Sequence, residues 1–402
     1  MAEPPAAPQP GSAPRASGRE RMMEIFKGGL AGAKPAVPVI VEELERLARE
    51  KLPPQACDYV AGGAGSGATM LANLRGFERW RIVPRMLRDV AQRDWGLELF
   101  GQRLPAPLLL APVGVQGILH PDAELATARA AAAAGVPFVL STAASRTIEQ
   151  VAEAIGGGPR WFQLYWGRDN NLAASMVSRA ERAGYGAIVL TLDTPTLGWR
   201  ERDLAHPYIP FLEGDGLANY FSDPVFRAAL AQPPEQNPRA AIEYWASIFT
   251  NLRLGWNDIA FLRRHTRLPL LVKGIVHPDD ASSAVAAGAD AVIVSNHGGR
   301  QVDGAIGALD ALPGVVQAVA GAVPVLFDSG VRRGADAAKA LALGAKAVLL
   351  GRPYVWGLAA AGEQGVREMV ANFLGDLDLT LALSGFASLA ELNPSCLVRD
   401  AG

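Results

Sequence analysis

A recurring unit constrains this chain more than any other feature: an alanine-rich stretch ends near a glycine, and a short aliphatic run follows within a few residues. The copies read Ala134-Gly135-Val136-Pro137-Phe138-Val139-Leu140, Ala183-Gly184-Tyr185-Gly186-Ala187-Ile188-Val189-Leu190, Ala287-Gly288-Ala289-Asp290-Ala291-Val292-Ile293-Val294 and Leu343-Gly344-Ala345-Lys346-Ala347-Val348-Leu349-Leu350. Glycine ends a helix in a backbone conformation that other side chains resist, and an unbroken apolar strand suits a parallel sheet covered on both faces. Strand-like runs at Leu108 to Leu110, Trp161 to Tyr165, Leu268 to Lys273 and Val323 to Phe327 bring the count to eight. With helical segments between them over roughly 250 residues, this is the profile of an α/β TIM (β/α)8 barrel. A doubly wound open sheet is the alternative and would usually have fewer strands.

Two segments stand outside the repeat. Val39 to Leu52 has apolar residues at helical spacing and predicts an N-terminal helical extension leading to Asp58-Tyr59. Residues 201–267, after the fourth strand, are far longer than an ordinary barrel connection and predict a lid insertion. The first stretch, to about Gly18, is rich in Pro, Ala and Ser and lacks the basic start and apolar centre of a signal peptide. We expect a disordered tail over residues 1–35 and one barrel domain over 36–402.

Half of the 402 residues are hydrophobic, enough for a large core. The 38 basic and 40 acidic residues are spread along the chain, so no basic field for nucleic acid or anionic lipid arises and the expected partners are small molecules. Cys57 and Cys396 lie near opposite ends with no paired spacing, which argues against a disulfide framework and for reduced thiols in the cytoplasm. The apolar run Leu108 to Ala111 meets Pro112 and Gln116, far short of the roughly 20 apolar residues that span a bilayer. His120, His206, His265 and His277 show no metal-ligand spacing, so no metal is expected.

Barrel enzymes carry their chemistry at the C-terminal ends of the strands. Here those ends read Pro112-Val113-Gly114, Ser141-Thr142, Gln163 and Tyr165, Thr191 and Asp193, Lys273, Ser295-Asn296-His297, Asp328-Ser329-Gly330 and Gly351-Arg352. After the last two strands, Gly330 and Gly351 let the backbone approach a ligand while Arg332 and Arg352 can neutralise a phosphate. Lys273 emerges from an apolar run, where its ammonium can stabilise a negative charge on a cofactor. A Schiff-base lysine would fit the same place, but the amide and hydroxyl groups of Gln163, Thr191, Ser141 and Ser295 suit a heteroaromatic ring better.

His297 is followed by Gly298-Gly299-Arg300. The glycines permit close approach, Arg300 can grip a carboxylate through two hydrogen bonds, and Asp193 can orient the imidazole and stabilise its protonated form. A histidine with only a structural role is the other reading. Gly62 to Gly67 superficially resembles a nucleotide loop, but it follows a helix and predicts a flexible turn.

Ser295-Asn296-His297-Gly298-Gly299-Arg300-Gln301, Asp328-Ser329-Gly330-Val331-Arg332-Arg333-Gly334 and Gly351-Arg352-Pro353 together resemble the FMN-dependent 2-hydroxy acid oxidising family. Asp58-Tyr59, Gln163-Leu164-Tyr165, Thr191-Leu192-Asp193-Thr194-Pro195 and Arg200 follow the family's order, and the resemblance runs from about Val39 to Leu392. It implies that Pro112, Val113, Gly114, Ser141, Gln163, Tyr165, Thr191, Lys273 and Ser295 hold the flavin ring and ribityl chain. Asp328, Ser329, Gly330, Val331, Arg332, Gly351 and Arg352 would hold the remaining ribityl and phosphate groups. For substrate, Arg300 and Tyr59 would bind the carboxylate, with Tyr165 and Arg200 nearby and His297 as base.

In the implied reaction His297 takes a proton, stabilised by Asp193, while two electrons reach the flavin as a hydride or through a carbanion, and Lys273 stabilises the reduced ring. Ala111-Pro112-Val113-Gly114, Leu217-Ala218-Asn219-Tyr220-Phe221-Ser222-Asp223-Pro224 and the insertion narrow the likeness to the lactate 2-monooxygenase branch, which converts L-lactate and oxygen to acetate, carbon dioxide and water. An oxidase or dehydrogenase releasing the 2-oxo acid is the alternative; a flavin-binding redox or interaction module is a third reading, against which the intact set of His297, Asp193, Arg300 and Tyr165 argues. Many simple oxidases have alanine at the place of Gly114, so its missing methyl bears on the room beside the flavin, unless backbone shape alone requires it. Ala143 stands where some members have a large aromatic, which leaves acid size open, and Trp199 either packs the lid or lies at the surface. By analogy the assembly is a homotetramer or homo-octamer.

Overall fold

The computed structural model describes residues 17–400. In chain order the strands are β1 Trp80–Ile82, β2 Leu97–Leu99, β3 Gln102–Leu104, β4 Leu108–Leu110, β5 Phe138–Ser141, β6 Arg160–Leu164, β7 Ile188–Thr191, β8 Leu270–Ile275, β9 Ala291–Val294, β10 Val325–Phe327, β11 Ala347–Leu350 and β12 Leu397–Arg399. Strands β4 to β11 close a parallel barrel, β11 returning to β4 through Val348 opposite Leu108 and Leu350 opposite Leu110. This is the TIM barrel expected from the repeat. Gly135 and Gly344 end their helices at φ +66° and +108°, the turn on which the repeated unit depends.

Side-chain alternation divides each strand between two cores. Leu109, Val139, Trp161, Val189, Leu271, Ile293, Leu326 and Leu349 fill the barrel interior, while Leu108, Leu110, Phe138 and Leu140 join the cluster shared with the surrounding helices. The antiparallel β2–β3 hairpin adds Leu99 and Leu104 to the interior cluster, and Phe100 at its turn sets its ring 5.8 Å from that of Trp161. The hairpin thus seals the end of the barrel at which Ala291 and Ala347 begin their strands, and the opposite end remains as the mouth. Strand β10 starts two residues later than the sequence suggested, after Pro324, which has no N–H for the ladder.

The tail departs from expectation. A helix occupies Gly18–Leu30, where a disordered segment was expected to reach residue 35; residues 1–16 lie outside the described residues. Ser17 and Glu20 form a capping box, and the Gly18 N–H donates to buried Asp378 at 2.8 Å. The docking is close: a Cβ on Gly18 would sit 2.3 Å from the Gly375 carbonyl oxygen. Tertiary contact with the terminal helix Arg352–Leu383 fixes a segment whose upstream composition reads as disordered. The expected helix after it forms over Val41–Lys51.

Residues 201–267 form a chain of short helices, of which Pro238–Phe249 is the longest. The buried Asn219 amide donates to the Ser141 and Thr142 carbonyls (3.2 and 3.1 Å), and its oxygen accepts from the Ile148 N–H (2.8 Å). Buried Arg179 and Asp223 pair at 3.0 Å beside it. The insert is therefore anchored on the strand end that carries Ser141. No helix among the described residues is long and apolar enough to cross a membrane.

Trp161→Ala should open a void inside the barrel beneath the hairpin and destabilise the fold by about 3–5 kcal/mol. Urea unfolding followed by circular dichroism should show a lower midpoint at unchanged slope; an unchanged midpoint would contradict this packing.

Candidate functional site

Four neighbouring strands converge on His297. Asp193 follows β7, Lys273 lies in β8, Ser295 and His297 follow β9 and Asp328 follows β10. His297, Gly298 and Gly299 take φ of +58°, +64° and +76°, a left-handed run that only glycine adopts without strain, so the backbone at His297 is held there by its surroundings. The His297 Nδ1–H donates to Asp193 Oδ1 at 2.7 Å, which leaves Nε2 with its lone pair, 3.4 Å from the Tyr165 hydroxyl. The Thr194 hydroxyl donates to the same Asp193 oxygen at 3.1 Å.

The Lys273 ammonium is buried, donates to Ser295 Oγ at 2.8 Å and lies 3.3 Å from Asp328 and 3.9 Å from Asp193. Burial disfavours its charge, but Asp328 and Asp193 more than restore it and hold its pKa above the ordinary lysine value. Burial would raise the Asp193 carboxyl, yet facing His297 and Lys273 keep it below the usual carboxylate range. For His297, burial prevails over the attraction of Asp193 and depresses the imidazole below its ordinary value, so it is neutral and able to accept a proton at pH 7.

The cavity at the mouth is lined by Pro112, Val113, Gly114, Ser141, Tyr165, Lys273, the run Asp328 to Arg332, Gly351 and Arg352. Of the expected residues, Gln163, Asp193 and Ser295 stand directly behind this lining, bonded to Ser141, His297 and Lys273, and Thr191 lines an adjoining cavity with Tyr165, Thr194 and Phe249. Gln163 Oε1 accepts from the Ser141 hydroxyl at 3.0 Å. Gln163 Nε2 and Thr191 Oγ1 are buried with no hydrogen-bond partner, an arrangement that natural structures rarely leave unanswered. At the other side, Arg332 donates to its neighbour's carbonyl at Val331, and Arg352 donates to the carbonyls of Val60, Gly62 and Gly298. Burial destabilises both guanidinium charges. A ring with an amide-like edge answers Gln163 and Thr191, and a phosphate answers the two arginines, so the residues present fit FMN.

Beside this lies a second set. Arg300 and Arg200 sit 5.1 and 5.9 Å from the Tyr59 ring centroid, in cation–π range. Arg300 donates to the Gly62 carbonyl at 2.8 Å, and burial together with nearby Arg200 lowers its pKa. Arg200 donates to Gln301 Oε1 at 3.1 Å. Tyr59, Tyr165, Arg200, Arg300 and His297 all line the same cavity.

Sequence reasoning missed part of the wall. Phe211 and Phe249 reach the cavity from the insert, with Phe249 edge-on to Tyr165 at 5.7 Å, and Leu197 and Thr194 complete that side. The aromatic content of the insert was the available signal. Gly62 to Gly67 is tied in place and is not the flexible turn that its composition suggests: Ala64 N–H donates to the Gly299 carbonyl (2.9 Å), and Asp303 accepts from the Ser66 and Ala68 N–H groups. Gly114 is constrained by approach, since a Cβ there would lie 2.6 Å from the Ala143 carbonyl oxygen. Trp199 is surface-exposed.

The profile of the FMN-dependent dehydrogenase family matches residues 48–399. An L-lactate oxidase from Lysinibacillus sphaericus (strain C3-41) is 45% identical over 374 residues, covering 92% of this chain and 95% of the relative. A 4-hydroxymandelate oxidase from Amycolatopsis orientalis is 42% identical over 352 residues, 87% of this chain and 96% of the relative. The solved structure of a mandelate oxidase superposes with TM-score 0.81 at 40% identity, covering 91% of this chain and 99% of that one.

The geometry around His297 makes a titration prediction. Because Asp193 pulls the imidazole pKa upward, Asp193→Asn should shift the His297 ring titration, followed by NMR, to lower pH than in the parent, whose midpoint already lies below 6.5. An upward shift or none would mean that Asp193 does not stabilise the imidazolium across the 2.7 Å contact.

Proposed function

Since the chain belongs to the family of FMN-dependent α-hydroxy acid dehydrogenases and oxidases, we propose that it oxidises a short L-2-hydroxy acid, with L-lactate as substrate, at the cavity holding His297 and Arg300. The observation that carries this reading is a neutral, half-buried base, backed by an ionised aspartate, in the same cavity as a half-buried arginine whose direct hydrogen-bond partners are backbone carbonyls. A carboxylate bound to Arg300, with Arg200 and Tyr59 beside it, supplies the missing anion and presents the α-carbon hydroxyl to His297.

His297 Nε2 accepts the proton, and Asp193, 2.7 Å from Nδ1, stabilises the imidazolium that results. Burial keeps the Tyr165 phenol protonated, so its hydroxyl donates a hydrogen bond at the reacting end of the substrate. Pro112 to Gly114, Ser141, Gln163, Tyr165, Thr191, Lys273 and Ser295 would hold the ring and ribityl chain of FMN, and Asp328 to Arg332 with Gly351 and Arg352 would hold the rest and the phosphate. The chemistry that FMN supplies when bound is acceptance of two electrons and their delivery to oxygen as hydrogen peroxide. Lys273 provides a fixed positive charge beside that site.

After oxidation we assign the insert over residues 201–267 the role of a lid. Phe211 and Phe249 close the cavity, and retention of pyruvate with hydrogen peroxide yields acetate, carbon dioxide and water, the monooxygenase outcome. The close approach of the Ala143 carbonyl explains Gly114, so the lid rather than a missing methyl supports this outcome. The second reading, release of the 2-oxo acid with peroxide, is favoured by the likeness to proteins named L-lactate oxidase. A cytoplasmic homotetramer or homo-octamer accords with two free thiols and with family analogy.

Two experiments decide. With L-lactate and oxygen, the purified protein should give acetate and carbon dioxide in step with oxygen consumed; stoichiometric pyruvate and peroxide would sink the monooxygenase outcome. His297→Ala should retain FMN but slow its anaerobic bleaching by L-lactate about 10²–10⁴-fold. Bleaching at the parental rate would remove His297 from the role of base.

A further inference from the structure

Glu124 is fully buried at the start of the helix Glu124–Ala134 and has no part in the chemistry above. Its Oε1 accepts from two loops at once, from the Gln116 N–H at 3.2 Å and the Ser145 N–H at 3.0 Å. Its Oε2 is buried with no hydrogen-bond partner. These are the loops that carry Pro112 to Gly114 and Ser141 to Ala143 onto the cavity wall. Other bonds cross the same seam: the Val115 N–H donates to the Ala143 carbonyl at 2.8 Å, and the Gly117 N–H donates to Ser145 Oγ at 3.0 Å.

Gln116 extends the seam, its amide donating to the Val113 carbonyl and the Tyr354 hydroxyl while Thr127 donates to its oxygen. The backbone on either side is strained. Val115 and Ala123, which precede Gln116 and Glu124, take φ of +56° and +49°, values that a non-glycine residue keeps only where its surroundings enforce them.

We propose that Glu124 is a positioning residue for the oxidation: one carboxylate oxygen clamps the two loops together, and ionisation of the carboxylate tightens that clamp against the flavin. This rests on the flavin site assigned above. Burial pushes the Glu124 carboxyl up to about 7, against the bonds from Ser145 and Gln116. The charged and titratable groups facing it are Arg146, beyond Ser145, and Tyr354 of the terminal helix.

Two pH effects of opposite sign follow. Because the folded carboxyl titrates above its unfolded value of 4.5, its contribution to global stability is complete below that value and is lost as pH rises through about 7. Over the same rise the N–H groups of Gln116 and Ser145 come to face an anionic oxygen, and bonds to a charged acceptor are stronger. The seam therefore tightens while the fold as a whole loses stability. A glutamate with only a packing role has no reason to produce that pairing.

The test uses FMN-loaded wild type, Glu124→Gln and Glu124→Ala. Amide hydrogen exchange at Gln116 and Ser145, corrected for intrinsic rates, and the visible spectrum of bound flavin are followed from about pH 5.5 to about 8.5. In the wild type, protection at both amides should rise about threefold or more with a midpoint near 7, and the flavin band should move with the same midpoint. Glu124→Gln keeps an acceptor that cannot ionise and should abolish both titrations. Glu124→Ala should lower protection about tenfold at every pH.

Titration that survives in Glu124→Gln, or parental protection in Glu124→Ala, overturns the proposal. Should Glu124→Ala fail to fold, the Glu124→Gln comparison decides alone. Failure of L-lactate to bleach the wild-type flavin would instead defeat the substrate reading and leave these measurements valid.

Discussion

Lys273 lies buried between two carboxylates, and the arrangement of the mouth depends on how those charges balance. Asp328 and Asp193 against one ammonium leave one excess negative charge while His297 is neutral. A proton on His297 cancels it. Burial holds the resting imidazole neutral, and the excess negative charge beside it stabilises the imidazolium once a proton arrives. The parallel order of the barrel delivers this geometry: β7, β8, β9 and β10 are consecutive neighbours, and their registers, such as Thr191 opposite Lys273, set the four groups side by side.

The arginines occupy separate ground. Arg300, Arg332 and Arg352 spend their hydrogen bonds largely on backbone carbonyls, several of them from the Val60 to Gly62 segment, and burial works against their charge. One side of the cavity thus holds excess negative charge matched to a proton, and the other holds positive charge matched to anions. A molecule with a carboxylate and an ionisable hydroxyl, and a cofactor with a phosphate, satisfy both sides together. The helical insert lines this space through Phe211 and Phe249, and Asn219 grips the same strand end that presents Ser141, so both parts of the wall share one foundation.

The barrel and most of its mouth were legible in the sequence for a physical reason. Each strand end is a short excursion from a periodic apolar run, so a polar residue there can point only to the mouth, and Asp193, Lys273, His297 and Asp328 could be placed by counting. Contacts made by docking were not legible. Phe211 and Phe249 reach the cavity because Asn219 and Asp223 fix the insert, and the aromatic content of the insert does not by itself say which rings face the mouth. The glycine run at Gly62 to Gly67 was misread for the same reason, as its order comes from Asp303 and Gly299 more than two hundred residues later. The helix Gly18–Leu30 likewise owes its place to Asp378 and Gly375.

The small antiparallel ribbon of β1 with β12 pairs Trp80 with Arg399 and Ile82 with Leu397, far from the mouth in sequence and in purpose. It clasps the segment that enters the barrel to the segment that leaves it, while Tyr59, Val60 and Gly62 lie upstream of the clasp and still reach the mouth. The clasp therefore holds the chain's path in two directions at once: residues before it fold back over the mouth, and residues after β3 run once around the barrel.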